Sequence, residues 1–347
     1  KPEHIALLLP LSGSLAGPGS AIRDGFMAAL KTDNTQQTPK ILVYDTHADD
    51  ASKSYQKAID AGAQFVVGPL LKDDVQRVAA LKHPVPTLFL NELEHKNLDG
   101  FSYQFGLSPS DEAREVAVKA REKGHGRALV IAPADLWGEE VMASFSRQWQ
   151  TEGGIVADVL RYDNKDNLNH ALRRFLHIAD SERRQKELEN VLGRKLSSVP
   201  RRRQDFDMVF LLAYPGKARQ ILPLLKYYYA GDVAVYATSS VYGGHLNPLK
   251  DRDLNGIIFC DMPYVLTHQM DNKHWPEWFN SYSRLYALGK DSYALSMQLN
   301  KLQVFPAMNF QDKSSMLYLA KDGTIKRIFA WGQFKSGVVK VSPLDKA

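Results

Sequence analysis

The chain has 347 residues, 44% hydrophobic and 24% charged, with 44 Lys and Arg against 39 Asp and Glu for a formal charge of +5. That balance excludes a largely disordered chain and says little for a polyanionic partner, and the length is that of two lobes rather than one core. No apolar run approaches the roughly 18 to 20 residues that span a bilayer, and the single cysteine, Cys260, excludes an intramolecular disulfide.

No basic-then-apolar leader opens the chain, and the first strand is predicted from about His4, so any export or lipid-attachment signal is expected upstream. Short apolar strands then alternate with amphipathic helices, the pattern of βαβ units and a parallel sheet. Strands are predicted at 5–11, 40–44, 64–68 and 86–90, each rich in Val, Ile, Leu or Phe and read as buried on both faces. Between them Ile22, Phe26, Ala29 and Leu30 fall on one helical face, as do Ala51, Tyr55, Ala58 and Ile59, and then Val75, Val78 and Ala79. Asp50 and Asp73 are predicted N-caps, and Gly62 a helix stop.

The rhythm restarts at Ser108-Pro109-Ser110-Asp111, which offers a cap, a proline at the first helical position and an acid two residues later. A second set of strands is predicted at 128–132, 156–160, 208–213 and 233–237. Its helices are placed near 109–122, 138–151, 166–192 and 217–229, with Pro223 expected to kink the last. After a Gly/Asn/Pro/Asp-rich passage at 243–255 come an apolar strand, 256–259, holding Cys260 at its end as a buried inert thiol, and an aromatic helical region at 275–305. Lys321-Asp322-Gly323, between 316–320 and 324–331, is the strongest hairpin signal in the chain. Antiparallel pairing this late implies a chain that revisits both halves.

Catalytic and cofactor motifs fail one by one. Gly17-Pro18-Gly19 precedes a helix, but position 22 is Ile, and no Gly-Lys-Ser/Thr phosphate loop occurs. Ser54-Tyr55-Gln56-Lys57 fits Ser-x-x-Lys without a Lys-Thr-Gly partner, and Ser54 and Lys57 are read as the solvated flank of Tyr55. Gly-x-Ser-x-Gly, His-Glu-x-x-His and Cys-x-x-Cys are absent. His170 and His177, seven apart, make a poor metal pair, and the acid pairs Asp49/Asp50, Asp73/Asp74 and Glu139/Glu140 stand at helix starts, where capping explains them. The expectation is a protein that is not an enzyme and has neither metal nor cofactor.

In an open parallel sheet, ligands meet the carboxyl ends of strands and the N-termini of the helices that follow. This nominates Ser12, Gly13, Ser14 and Leu15, then Pro69, Leu70 and Leu71, and Asn91 in the first half. In the second half it nominates Asp135, Trp137, Tyr214 and Ser239. A separate feature is the stretch 161–205, with twelve Arg and Lys against seven Asp and Glu. It is either a solvated helix and loop whose Glu182, Glu187 and Glu189 make helical ion pairs, or a docking surface for an acidic partner patch through Arg183, Arg184, Arg194, Lys195, Arg201, Arg202 and Arg203. No aromatic residues interleave the arginines as stacking platforms, so nucleic acid is not expected.

Four stretches carry a resemblance. They are His4-Ile-Ala-Leu-Leu-Leu-Pro-Leu-Ser-Gly13 with Gly17-Pro-Gly-Ser-Ala-Ile-Arg-Asp-Gly-Phe26; Phe65-Val-Val-Gly-Pro-Leu70; Leu285-Tyr-Ala-Leu-Gly-Lys-Asp-Ser-Tyr293; and Asp322-Gly-Thr-Ile-Lys-Arg-Ile-Phe-Ala-Trp-Gly-Gln-Phe334. Over nearly its whole length the chain resembles the type I periplasmic-binding-protein fold. The closing Asp-Gly hairpin with Trp331-Gly-Gln-Phe334 makes it similar, within that fold, to the C-terminal domain of LpoA, the family of lipoprotein activators of penicillin-binding proteins.

The resemblance implies a two-lobed α/β protein, each lobe a mainly parallel sheet flanked by helices, with three interlobe crossings. Lobe 1 would be 1–108 plus 257–310 and lobe 2 would be 109–256 plus 311–347. It also implies a monomeric domain of a periplasm-facing outer-membrane lipoprotein, with its lipid anchor and a helical-repeat domain outside this chain. The implied role is to bind a class A penicillin-binding protein, a bifunctional peptidoglycan synthase, and to raise its cross-linking activity allosterically. Amino-acid-binding members of the fold place small hydroxyl residues after Gly-Pro and after the fourth strand. Here Leu70-Leu71-Lys72-Asp73-Asp74 and Leu90-Asn91-Glu92 stand there, and leucines cannot hydrogen-bond a carboxylate while the acids oppose its charge. The competing expectation is a periplasmic receptor for a small polar ligand such as an amino acid or a muropeptide. A hydrolase would need a nucleophile and base that the motif search does not supply.

Overall fold

The structure, a computed structural model, describes residues 1–34, 38–93, 100–165, 167–268, 282–304, 310–312 and 315–342. It divides into two compact units. The first comprises residues 1–107 with the described residues of 262–329; the second comprises 108–261 with those of 330–342.

The first unit opens with β1 (His4–Leu9), α1 (Ala16–Thr32), β2 (Lys40–Asp45), α2 (Ala51–Asp60), β3 (Phe65–Val67), α3 (Lys72–Ala79), β4 (Thr87–Phe89) and β5 (Ser102–Gln104). The strands form a parallel sheet in the order β2-β1-β3-β4-β5. β1 has no polar face because both of its faces are covered. Ile5, Leu7 and Leu9 pack with Ile22 and Phe26 of α1, while Ala6 and Leu8 pack with Tyr55 of α2 and Val75 and Val78 of α3. Alternate side chains point to opposite faces of a strand, so this run builds two half-cores.

Asp50 caps α2 as expected, accepting from the amides of Ser52 at 2.9 Å and Lys53 at 3.3 Å. Asp73 does not cap α3. It lies inside the first turn, and Leu71 holds the N-cap position. Ser54, read from sequence as solvated, is buried with Tyr55, because the α2 face against the sheet is wider than the apolar stripe alone.

The second unit contains α4 (Pro109–Glu122), β6 (Arg127–Pro133), α5 (Leu136–Thr151), β7 (Ile155–Tyr162), α6 (Leu168–Phe175), α7 (Ile178–Leu192), β8 (Met208–Leu211), α8 (Pro215–Leu225), β9 (Ala234–Ala237), α9 (Pro248–Asp251) and β10 (Ile258–Asp261). The chain then gives α10 (Pro263–Thr267), α11 (Tyr282–Val304), β11 (Phe310–Asp312), β12 (Ser315–Leu319) and β13 (Ile325–Arg327) to the first unit. It returns to the second as β14 (Ala330–Lys335) and β15 (Val338–Val341). The second sheet runs β15-β14-β10-β9-β8-β6-β7, parallel from β10 to β7 and antiparallel at β14 and β15.

Several expectations are corrected. The strand at 256–259, assigned to lobe 1, is β10, paired with β9 and β14 in the second unit. Conversely β12 and β13, assigned to lobe 2, belong to the first unit: Leu317 and Ile325 join its core, and Arg327 pairs with Asp291 of α11. The Asp322-Gly323 hairpin joins β12 to β13 as read, but its second arm stops at Arg327, and Trp331 lies in β14, a strand of the other sheet. The helix at 166–192 is two helices, broken at His177, whose φ is 61°. α8 passes through Pro223 and loses helical geometry only at Tyr228 and Tyr229. Of the aromatic region 275–305, 275–281 and 305 lie outside the described residues.

Candidate functional site

In the first unit, the loop after β1 is shaped by an acid that the sequence reading did not single out. Asp45, at the end of β2 and in register with Leu9, accepts hydrogen bonds from the Leu11 amide at 2.9 Å and the His47 amide at 3.0 Å. Burial alone would raise its pKa, but the Ser12 hydroxyl and the amides of Leu11, His47 and Ala48 outweigh that and hold the carboxyl at about 2. Ser12 is therefore part of an internal bracket. Gly13 has φ +74° and lies against the His47 imidazole, so a β-carbon there would be strained and would stand 2.4 Å from Nε2. Ser14 and Leu15 are exposed.

Pro69 is buried and Leu70 packs against the first core, while Asn91 joins the two loops. The Asn91 side-chain amide donates to the Leu70 carbonyl at 3.1 Å, and its oxygen accepts from the Glu92 amide at 2.9 Å. Leu71, half-buried, offers no polar group beside them. The Asn91 side chain is thus engaged with the backbone of this corner.

The second-unit candidates gather at the carboxyl ends of β6, β7, β8 and β9, which are neighbours in the sheet. Asp135 caps α5, accepting from the Gly138 amide at 2.7 Å. Trp137 and Tyr214 stack with centroids 4.7 Å apart at 11°. The Tyr162 hydroxyl donates to the Leu212 carbonyl at 2.8 Å, and burial, reinforced by Asp135 and Tyr214, pushes its pKa well above the usual phenol value. Tyr214 is raised in the same direction by burial and then by Asp135. Thr238 and Ser240 share a hydrogen bond of 2.8 Å, Ser240 donates to the Ala213 carbonyl at 3.1 Å, and Ser239 is buried beside them. Leu136 is 90% exposed. The result is an apolar and aromatic ledge edged by protonated hydroxyls, with its acid engaged as a cap.

The groups tested for chemistry are accounted for separately. Ser54 is buried while Lys57 pairs with Asp49 at the surface. Cys260 is fully buried, burial pushes its thiol well above the usual range, and it faces the Glu112 carbonyl at 3.8 Å. His170 and His177 line a cleft of about 840 Å³ with Asp158, Arg174, Asp180 and Arg183. Among the described residues, no group of three His, Cys, Asp or Glu is placed to hold a metal ion.

The basic stretch does not form one surface. Arg203 is 7% exposed: it bonds Asp205 at 2.7 Å, Asp158 at 2.6 Å and the Phe175 carbonyl at 3.2 Å. Arg202, 10% exposed, reaches the Tyr229 carbonyl at 2.8 Å and Asp232 at 3.2 Å and lies over the Phe206 ring. Both stood among the candidates for a docking face and are instead braces for the chain entering β8, paired with Asp205 nearby and with Asp158 and Asp232 distant in sequence. Arg183 pairs with Asp180 at 3.0 Å. Arg184, Arg194, Lys195 and Arg201 are exposed and make no ion pair among the described residues.

A family model described as LppC putative lipoprotein matches residues 1–337. A protein of Photobacterium profundum named penicillin-binding protein activator LpoA is 30% identical over 346 residues, covering 96% of this chain and 56% of its own length. The chain spans little more than half the length of the curated relatives it matches. Among solved structures, the C-domain of LpoA from Haemophilus influenzae, described as a regulator of PBP1A, superposes with a TM-score of 0.72 at 24% identity, covering 98% of this chain and 99% of its own. A putative branched-chain amino acid ABC transporter from Chromobacterium violaceum superposes with a TM-score of 0.69 at 24% identity, covering 95% and 99%. The fold is thus the type I periplasmic-binding-protein fold.

Proposed function

The chain belongs to the LppC lipoprotein family, and from that premise we propose that it is a non-catalytic domain that binds a class A penicillin-binding protein and raises its peptide cross-linking activity. Its place would be the periplasm, held at the inner face of the outer membrane by a lipid anchor. The names of its relatives support the partner. The observation that carries the choice over a solute receptor is the corner at Leu70, Leu71 and Asn91. Where a bound carboxylate would need free hydroxyls, this corner presents two leucines and an asparagine already bonded to its own backbone.

Activation requires the domain to bind the active conformation of the synthase more tightly than the idle one, and couplings of about 1 to 3 kcal/mol are typical. The test of the partnership is chemical cross-linking of the purified chain to a purified class A synthase. A specific complex that an excess of unmodified chain competes away is expected; no complex would reject the reading. A second reading, a receptor for a small polar ligand, draws on the Trp137–Tyr214 ledge with exposed Leu136, which could cover one face of a ring or peptide.

A further inference from the structure

The insertion between β7 and β8 includes a helical hairpin whose returning arm is fastened to its own helix. α7 ends at Gly193, φ 63°, and the chain then runs back antiparallel to it. The Leu196 amide donates to Glu189 Oε1 at 2.9 Å, Gln185 Nε2 donates to the Leu196 carbonyl at 3.2 Å, and the Arg201 amide donates to Ser181 Oγ at 2.9 Å. The bonds from Leu196 and Gln185 hold the Glu189 carboxyl below the usual range. These clamps set the geometry of both arms.

What the hairpin presents outward is unusual for a solvated helix. Leu188, Val191 and Leu192 are 52%, 83% and 49% exposed, and their spacing puts them on one helical face; Val199 on the returning arm is 64% exposed. Three exposed aliphatic side chains at i, i+3 and i+4 on one turn form a patch rather than a scatter.

The charges around them are one-sided. Of the four acids on α7, Asp180 pairs with Arg183, Glu182 pairs with Arg173, and Glu189 is bonded to the returning arm. Glu187 and Glu189 make no ion pair among the described residues, Glu189 being bonded to neutral amides with Lys195 nearby, against the five exposed cations Arg184, Lys186, Arg194, Lys195 and Arg201. Arg184 stands one turn before Leu188 and Lys195 just past Leu192, so cations bracket the aliphatic turn.

We propose that this face is the docking surface for an acidic, amphipathic segment of a protein partner, whose aliphatic side chains seat on the Leu188–Leu192 turn while its carboxylates meet the flanking cations. The proposal rests on the reading that the domain docks on a synthase and names the surface and the chemistry of that contact. A membrane surface fits less well. A helix lying in a lipid interface carries its apolar face, commonly with aromatic anchors, along its length, whereas here the apolar face is one turn without an aromatic. Anchors at i, i+3 and i+4 are what a protein groove or helix reads.

Two variants of the whole chain test it: L188S/V191S/L192S, and R184E/R194E/K195E. All these side chains are exposed, so both variants are expected to fold, with at most a small drop in thermal midpoint for the serine variant from lost helix propensity. Binding is measured to a purified class A synthase at low and physiological salt, and to vesicles of mixed phosphatidylethanolamine and phosphatidylglycerol. The expected result is at least tenfold weaker synthase binding for each variant, about 1.4 kcal/mol, with the salt dependence of the parent lost in the charge variant. If the parent binds the synthase and both variants bind equally well, the surface assignment is wrong while the partnership stands. If the parent does not bind, the partnership fails and the assignment with it. Loss confined to vesicle binding would assign the patch to lipid and overturn the proposal.

Discussion

At the scale of single residues, the structure turns several candidate ligands into internal braces. Ser12 was legible as a loop residue at the end of a strand, but its hydroxyl serves Asp45, and that pairing depends on the β1–β2 register, which no local pattern encodes. Asp45 has a folded pKa near 2 against an ordinary 3.8, so its contribution to stability is fully present above about pH 4 and is lost as pH falls towards 2. Acid titration of unfolding free energy in the parent and in D45A is expected to show this: D45A is less stable at neutral pH, by about 1–3 kcal/mol, and its stability falls less steeply over that acidic interval. Identical acid limbs would refute the bracket. Arg203 read as surface charge because Asp158 lies 45 residues away in sequence. Thermal denaturation of R203A is expected to reveal a loss of about 1 to 2 kcal/mol, since the change removes a buried guanidinium and its bonds to Asp205, Asp158 and the Phe175 carbonyl while water can still reach both carboxylates; R201A, exposed beside it, should leave stability within about 0.5 kcal/mol of the parent.

Elements were legible where one period dominated and lost where tertiary contacts decided. The buried strands β1 and β3 and the capped helix α4 announce themselves by apolar runs and by Ser108-Pro109. The break at His177 carries no glycine or proline, so helical periodicity ran through it, whereas helical geometry after α8 is lost at Tyr228 and Tyr229, where the 217–229 helix was expected to end. The pairing of α1 with α11 was hidden for a different reason, since the signal is the absence of side chains. A β-carbon on Gly25 would stand 1.9 Å from the Tyr286 carbonyl oxygen, and one on Gly289 would stand 2.0 Å from that of Ile22. The two helices meet backbone to backbone at glycines 264 residues apart, packing Phe26 edge-on against Tyr293 at 5.3 Å. G289A is expected to force the helices apart and cost about 1–3 kcal/mol in denaturant unfolding, although alanine is the better helix former; a neutral or stabilising result would contradict the close approach.

For the whole molecule, the alternation of strands and helices fixed the fold class, and the late Asp-Gly hairpin signalled a return between units. The first crossing, expected after 108, falls after Leu107, but the later two were missed because β10 and β14 are defined by partners in the second sheet rather than by their own composition. Function was less legible than fold, because the docking role proposed above would carry no catalytic signature, and its surface would be chosen by a partner outside the chain. A receptor for small solutes would betray itself in bulk: at a ligand concentration about 100 times Kd, binding adds about 2.7 kcal/mol to stability. Titration with amino acids and muropeptides is expected to leave the thermal midpoint unmoved, and a saturable rise would favour the receptor reading. The most direct test of the central claim is the rate of peptide cross-linking by a purified class A synthase as this chain is added. A saturable increase, within the about 5- to 150-fold range typical of allosteric coupling, is the predicted result; a rate that stays flat at concentrations where the two proteins form a complex would contradict it.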